Sequence, residues 1–243
     1  MVEGLLQTMD LSKGLALLIS SPGGDGLAAE RIVNVCRQYS GTNEFWAIVP
    51  SRAKSAATMI CLGASKIIMG PASELGPIDP QLATEEDGKV KRFSVWHVVE
   101  SYKKLFRGAC QAKGNLQPYL QQLQHYDSRE IADFETAIEL SEDIAVRSLM
   151  NGGMMGGQAK GTIRKNIEVF LTPKQTKDHG RPIYAEEAKR CKLIVDCHEP
   201  QTTLWKLVYE LYIRTNNFVS RRVVKCAETA DHSFGATIGA REQ

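Results

Sequence analysis

The chain has 243 residues, of which 43% are hydrophobic and 24% are charged, a composition typical of a globular protein with a real core. A net charge of +2 gives no strong basic field and therefore no indication of nucleic-acid binding. No apolar run approaches the roughly 20 residues of a membrane span, and the N-terminus lacks the pattern of a signal peptide. We therefore expect a cytoplasmic protein without a membrane span.

Six cysteines are scattered along the chain and form no Cys-X-X-Cys pair. Cys36 and Cys61 lie in apolar stretches and are predicted to be buried thiols. Cys191, Cys197 and His198 are close in sequence, but their spacing matches no usual zinc site. The pattern suits a reducing compartment, and we expect neither a metal nor another cofactor.

The first third of the chain alternates short apolar runs with helical patterns. The predicted strands are Leu15–Ile19, Phe45–Val49 and Lys66–Met69, and the predicted helices cover 27–36 and 54–62. Continuous apolar runs of this length suit parallel strands that are buried on both faces. The order strand, helix, strand, helix, strand predicts a layered α/β sheet.

The remaining chain is predicted to be mainly helical. We expect a loop over 71–93, helices in several pieces over about 93–150, a glycine-rich link over 152–157, a helix over 185–192, a strand over 193–195 and an amphipathic helix over 204–213. From residue 223 the chain is polar and predicted to be disordered. A single domain is therefore expected over residues 1–222.

The segment Ser21-Pro22-Gly23-Gly24-Asp25-Gly26 follows the first predicted strand and precedes a helix. Glycines lack side chains, so the backbone there can approach a substrate carbonyl closely, and its amides can stabilise an oxyanion. Taken alone, the motif is explained equally well by a tight strand-to-helix turn.

Ser55 stands at the predicted start of the second helix, beside the small residues Ala56 and Ala57. A serine at a helix start is usually an N-cap. The alternative is a nucleophile at a strand-to-helix turn, with the amide of Ala56 directed at the same place as the hydroxyl. Lys54 puts a cation next to this serine, directed either at the hydroxyl or at solvent.

Taken together, these motifs resemble a known group of hydrolases. Ser21–Gly24, then Ser55–Met59 and Gly63-Ala64, resemble ClpP and the signal peptide peptidase A group. The run ELGPIDPQ from Glu74 is closer still to the serine dehydrogenase proteinase family, as are the later pairs His179-Gly180 and Glu187-Ala188. The resemblance covers about residues 14–215. It implies an α/β, ClpP/crotonase-like spiral of ββα units with a helical middle segment and a C-terminal helix.

The resemblance also implies the chemistry and part of the site. It makes Ser55 the nucleophile of a serine peptidase, with an oxyanion hole formed by Gly23, Gly24 and the amide of Ala56. A peptidase of this kind is expected to need neither ATP nor a cofactor.

The base is left open by the resemblance. Asp79 stands where ClpP carries its histidine, and His179 lies close to the position of the ClpP acid. One arrangement makes His179 the base and Asp79 the group that orients it. The alternative is a Ser-Lys dyad, as in signal peptide peptidases, with Lys91 as the base.

The expected function is cleavage of peptides or unfolded protein by a homo-oligomer of rings or stacked trimers. The stripe Trp96–Phe106 and the helix Leu204–Ile213 offer apolar faces for self-association. One alternative is an acyl-CoA enzyme of the crotonase type without a serine nucleophile. Another is a catalytically inactive scaffold or a peptide-binding subunit of a larger assembly, slightly favoured by the short segment before the first strand.

Overall fold

A computed structural model describes residues 1–86 and 88–237. The helices are α1 (Val2–Leu6), α2 (Gly26–Tyr39), α3 (Ala56–Leu62), α4 (Val95–Gln111), α5 (Gln117–Leu123), α6 (Ser128–Asn151), α7 (Lys160–Asn166), α8 (Glu168–Leu171), α9 (Pro173–Thr176), α10 (Ala185–Arg190) and α11 (Thr203–Arg222). The strands are β1 (Leu15–Leu18), β2 (Phe45–Val49), β3 (Arg52–Ala53), β4 (Lys66–Met69), β5 (Glu74–Leu75), β6 (Gln81–Glu86), β7 (Lys89–Ser94), β8 (Val195–Cys197), β9 (Lys225–Glu228) and β10 (Ser233–Ala236). Within the described residues, no helix is both long and apolar enough to cross a membrane.

The main sheet has four parallel strands in the order β1-β2-β4-β8. Helices α2 and α3 connect its first three strands, so the predicted layered α/β architecture is confirmed. Strands β2 and β4 have the predicted bounds, whereas β8 begins two residues after the predicted start at Leu193. Leu193 is instead buried in the core, and its amide bonds the carbonyl of Ala188 at the end of α10.

The two faces of this sheet are covered by different helices. Phe45, Ala47 and Val49 alternate along β2 into the main core, which they share with α2 and α3. On the opposite face, Ile68 packs against Trp205 of α11. Inward and outward side chains thus alternate with the period of two that a strand imposes.

Two buried cysteines and one half-buried arginine lie in the helix layer. Burial raises the pKa of the Cys36 and Cys61 thiols to about 12, so both are inert core residues, as predicted. Arg37 of α2 donates hydrogen bonds of 2.6 Å to the carbonyl of Gly63 and 2.8 Å to that of Ser148, and its burial lowers the pKa of the guanidinium. These bonds join α2, the end of α3 and α6, and so fix the helix whose first residues border the site.

A smaller set of paired segments continues beyond the carboxyl ends of the main strands. β3 pairs with β5 in parallel, and Ser21 forms a parallel bridge to Ala53. On the other side, Leu75 of β5 forms an antiparallel bridge to Ile183. The segments that follow β1, β2 and β4 are therefore hydrogen-bonded to one another and to a segment from the last third of the chain.

Two antiparallel hairpins differ from the sequence-based expectation. β6 and β7 pair from Gln81–Ser94 to Glu86–Lys89 within the predicted loop, and β9 pairs with β10 within the predicted disordered tail. Residues of β7 are exposed on both faces up to Ser94, so the sequence lacks the alternation that marks a strand. The end of that predicted tail, residues 238–243, lies outside the described residues. The predicted helical middle segment is confirmed as α4, α5 and α6.

Candidate active site

Ser55 lies in a strained turn between β3 and α3. Its backbone has φ 50° and ψ −122°, a conformation that costs a non-glycine residue roughly 1–3 kcal/mol. Ser55 occupies the N-cap position of α3, as a serine at a helix start commonly does, but its hydroxyl makes no capping hydrogen bond to the helix. The amide of Ala57 instead bonds the carbonyl of Lys54 at 2.9 Å. The turn therefore presents a hydroxyl that the helix does not use.

Gly23 packs directly against this turn. A Cβ at Gly23 would lie 2.7 Å from the Cβ of Ser55, 2.8 Å from the carbonyl oxygen of Lys54 and 3.3 Å from the nitrogen of Ala56. Its φ of 108° also suits only glycine. The glycine-rich segment is thus required both by its own conformation and by its contact with the serine turn.

The three predicted oxyanion-hole residues differ in how their amides are used. The amide of Gly23 donates to the hydroxyl of Ser21 at 3.1 Å. Among the described residues, no acceptor takes a hydrogen bond from the amides of Gly24 or Ala56. Of the three amides, those of Gly24 and Ala56 therefore remain without an acceptor within the described part of the chain.

Asp79 and His179 form a hydrogen-bonded pair. The Nδ1 atom of His179 lies 2.7 Å from Oδ1 of Asp79, whose side chain is 1% exposed, whereas the His179 side chain is 24% exposed. The second carboxylate oxygen of Asp79, Oδ2, accepts a hydrogen bond of 2.9 Å from the side-chain amide (Nε2) of Gln81. Because a carboxylate only accepts, Nδ1 donates here, and Nε2 of the neutral ring keeps its lone pair. Within the described part of the chain, Nε2 has no hydrogen-bond partner.

Backbone pairing explains how residues so distant in sequence meet. Leu75 and Ile183 exchange two antiparallel hydrogen bonds of 2.9 and 3.0 Å. Asp79 follows Leu75 by four residues, and His179 precedes Ile183 by four, so the same antiparallel register brings the two together. The amide of Ile78 also bonds the carbonyl of Phe170 at 2.8 Å, which holds the aspartate side of this pairing.

Part of the chain is similar to a known protein family. A profile of the ClpP-like SDH-type serine proteinases matches residues 6–101, a range that contains Ser55, the glycine-rich segment and Asp79. Over these residues the chain resembles the ClpP-like SDH-type serine proteinases.

Two curated relatives come from Methanocaldococcus jannaschii. The uncharacterized protein MJ0137 is 44% identical over 190 residues, which are 78% of this chain and 56% of that protein. The uncharacterized protein MJ1495 is 36% identical over 66 residues, 27% of this chain and 22% of that protein. The chain spans about half the length of the first of these relatives.

A structural comparison matches this chain to a mutant of the membrane-bound stomatin-specific protease 1510-N in complex with a substrate peptide. That match covers 86% of this chain and 89% of the other at 17% sequence identity, with a TM-score of 0.32.

Lys54 does not take either of the two directions considered from the sequence. Its side chain is 12% exposed, and Nζ lies 3.0 Å from Oε1 of Glu74 and 3.0 Å from the carbonyl oxygen of Leu75. It also donates to the carbonyl of Gly180, the residue after His179, at 3.4 Å. The segment that contains the imidazole therefore lies beside the residue that precedes Ser55.

The nucleophile and the imidazole are not hydrogen-bonded to each other in this structure. Among the described residues, no hydrogen bond involves the hydroxyl of Ser55. Catalytic hydrogen bonds are often long without substrate and shorten when it binds.

Lys91, the alternative base, lies on β7 opposite Thr84, and its side chain is exposed. A lysine must be desolvated to be neutral near pH 7. The exposure of Lys91 therefore does not favour it as a base in the single chain.

Thr58 is a site residue that the sequence analysis missed. Its buried hydroxyl donates to the carbonyl of Ala53 at 2.7 Å and accepts from the amide of Gly76 at 3.1 Å. This bridge ties α3 to the loop that leads to Asp79. The available signal was a polar residue within the otherwise apolar helix that begins at Ala56. As for metals, no group of ligands that could hold an ion is found within the described residues.

Proposed function

We propose that this chain is a serine peptidase in which Ser55 is the nucleophile, His179 the base and Asp79 the group that orients the base. The hydrogen bond of 2.7 Å between His179 and the buried Asp79 is the observation that carries the proposal. A buried carboxylate that holds one imidazole nitrogen while the other stays available is the arrangement a general base needs.

The proposed reaction begins when Nε2 of His179 takes the proton of the Ser55 hydroxyl. The serine oxygen then attacks the substrate carbonyl, and the resulting oxyanion accepts hydrogen bonds from the amides of Gly24 and Ala56. The imidazolium, stabilised by Asp79, gives its proton to the leaving amine. A water molecule, activated by the same imidazole, then releases the acyl group from the serine.

The strained backbone of Ser55 supports the same assignment. Strain at a strand-to-helix turn is a recurring feature of serine nucleophiles, because it exposes the hydroxyl in front of the oxyanion amides. Gly23 makes this turn possible, since any Cβ there would meet Ser55. The family supports a polypeptide substrate, and we infer that peptides or unfolded segments are cleaved.

A fluorophosphonate probe tests the proposal, because it reacts only with an activated serine. We expect an intact-mass increase of one probe per chain, peptide mapping of the adduct to Ser55, and cleavage of unfolded casein. Ser55→Ala should give neither adduct nor cleavage.

Two other functions remain alternatives in this experiment. A crotonase-type acyl-CoA enzyme would turn over a thioester without forming a serine adduct. An inactive scaffold would bind peptides without labelling, and the absence of a hydrogen bond at the Ser55 hydroxyl among the described residues is the observation that favours it.

A further inference from the structure

We infer that Lys54 is a positioning residue that holds the segment containing His179 against the turn containing Ser55. The inference rests on the proposed function for its catalytic meaning, but its structural part can be tested separately. It begins with the location of Lys54, which directly precedes Ser55 and whose amide bonds the carbonyl of Ser21 at 3.1 Å. The backbone of Lys54 is therefore fixed in the small sheet before its side chain makes any contact.

The aliphatic part of the Lys54 side chain is buried against Gly76. A Cβ at Gly76 would lie 2.5 Å from Cδ of Lys54, so the glycine leaves the space that this side chain fills. With only 12% of the side chain exposed, Lys54 is not a solvated surface lysine.

The ammonium group lies where three segments meet. It contacts Oε1 of Glu74 and the carbonyl oxygen of Leu75, each at 3.0 Å. It also reaches the carbonyl oxygens of Gly180 and Arg181, at 3.4 and 3.5 Å. An ammonium has three donors, so four oxygens around it fully occupy its hydrogen-bonding capacity.

These contacts join the turn containing Ser55 directly to the segment containing His179. The Leu75–Ile183 bridge aligns Asp79 with His179, but it joins neither of them to Ser55. Lys54 is covalently linked to Ser55 and contacts both strands of that pairing through Leu75 and Arg181. It therefore sets the position of the imidazole relative to the nucleophile.

Lys54 is not a catalytic base in this arrangement. Its nitrogen donates hydrogen bonds to a carboxylate and to carbonyls and makes none to Ser55. Because a displacement of about 1 Å in a reacting group can reduce a rate by roughly 10²-fold, loss of these contacts is expected to slow the reaction at Ser55.

The experiment compares Lys54→Met with Lys66→Met. Methionine keeps the apolar chain of Lys54 but donates no hydrogen bond. Lys66 is a matched control, since it also faces a carboxylate, Asp196 at 3.6 Å, but lies on the main sheet and stacks on Trp46. Two quantities are measured: the rate of Ser55 labelling by the fluorophosphonate, and the exchange rate of the His179 Nδ1 proton by NMR, assigned with His179→Gln.

In Lys54→Met we expect labelling to slow by about 10²-fold and the Nδ1 proton to exchange faster, because the His179 segment is no longer held. Lys66→Met should match the wild type in both. Equal exchange and labelling rates in the two variants would overturn the inference.

If the wild-type serine is never labelled, the proposed function is wrong. The exchange rate of the Nδ1 proton still tests the positioning role of Lys54 in that case, because it does not depend on labelling. If Lys54→Met does not fold because Glu74 loses its partner, Lys54→Met/Glu74→Gln removes that charge and the same comparison is made. Loss of folding in both variants would mean that Lys54 is a general structural residue, and would also overturn the inference.

Discussion

Gly23 packs against Ser55 so closely that a Cβ on the glycine would lie 2.7 Å from the Cβ of the serine. Gly23→Ala should therefore displace the turn that presents the hydroxyl, and its φ of 108° adds strain of roughly 1–3 kcal/mol. We expect labelling of Ser55 to be lost and the melting temperature to fall.

Gly26→Ala is the control for this substitution. A Cβ at Gly26 would meet Sδ of Met59 at an ordinary 3.5 Å, in the first turn of α2. This variant should keep the wild-type labelling rate. Equal labelling of Gly23→Ala and Gly26→Ala would show that the contact does not shape the site.

A second prediction concerns the strain stored at Ser55. Glycine adopts φ 50°, ψ −122° more easily than serine, so Ser55→Gly should relieve backbone strain of about 1–3 kcal/mol in the folded state. The greater freedom of glycine in the unfolded chain lowers this gain in the free energy of unfolding by roughly 0.5–1 kcal/mol. Ser55→Ala should leave stability close to that of the wild type, since the hydroxyl makes no cap bond. Chemical denaturation of the three proteins measures this, and a Ser55→Gly variant less stable than the wild type would contradict the proposed strain.

The identity of the base can be tested by three substitutions. A general base typically contributes about 10²- to 10⁴-fold, so His179→Ala should lose that much turnover. Asp79→Asn should lose less, because the imidazole remains but is held in the wrong tautomer. Lys91→Ala is the comparison variant, and with an exposed side chain on β7 it should keep wild-type turnover. An inactive Lys91→Ala beside an active His179→Ala would establish the Ser-Lys alternative.

The pH dependence of labelling distinguishes the same two bases. A protonated imidazole has no lone pair to accept the serine proton, so a histidine base predicts a rate that is low in acid and rises with pH. A lysine base would require a higher pH, because its ammonium releases a proton later. We expect the rise to disappear in His179→Ala, and a rise that persists there would exclude the imidazole as its cause.

The main sheet could be predicted because its strands are marked by short-range patterns in the sequence. The apolar runs of β2 and β4 are short, continuous and bounded by turn residues, and the structure has them at the predicted bounds. The hairpin of β6 and β7 could not be predicted in this way. Its strands are stabilised by pairing with each other, and the outward residues of β7 include Val90, at 65% exposed, beside charged neighbours, so no apolar face is visible in the sequence.

The site was only partly predictable for a related reason. Ser55 and Gly23 could be identified from local motifs, whereas the strain at Ser55 depends on close packing between two loops. The pair of Asp79 and His179 was one of two alternatives for the base, and their contact depends on the pairing of Leu75 with Ile183. Such pairing between segments far apart in sequence leaves no periodic signal.

Self-association is the last prediction, and α11 is the surface it concerns. This helix covers the sheet with Trp205 and Val208, while Leu207 and Leu211 are 61% and 49% exposed. The two leucines are four residues apart and so lie on one face of the helix. Exposed apolar residues in a row are typical of an interface, and we expect multi-angle light scattering at micromolar concentration to give a multiple of the chain mass.

Substitutions on α11 test whether this face forms the contact. Leu207→Gln/Leu211→Gln should weaken association by more than tenfold, because each buried leucine is worth roughly 1.5–3 kcal/mol and tenfold corresponds to about 1.4 kcal/mol. Lys206→Gln/Glu210→Gln is the matched control, because its two substitutions have the same spacing and lie one residue earlier on α11. The main interaction that this control removes is the ion pair between Glu210 and Arg214. An exposed pair of this kind contributes little, so the control should associate like the wild type. A wild-type protein with the mass of one chain, or equal association of the two double variants, would show that α11 is not the interface.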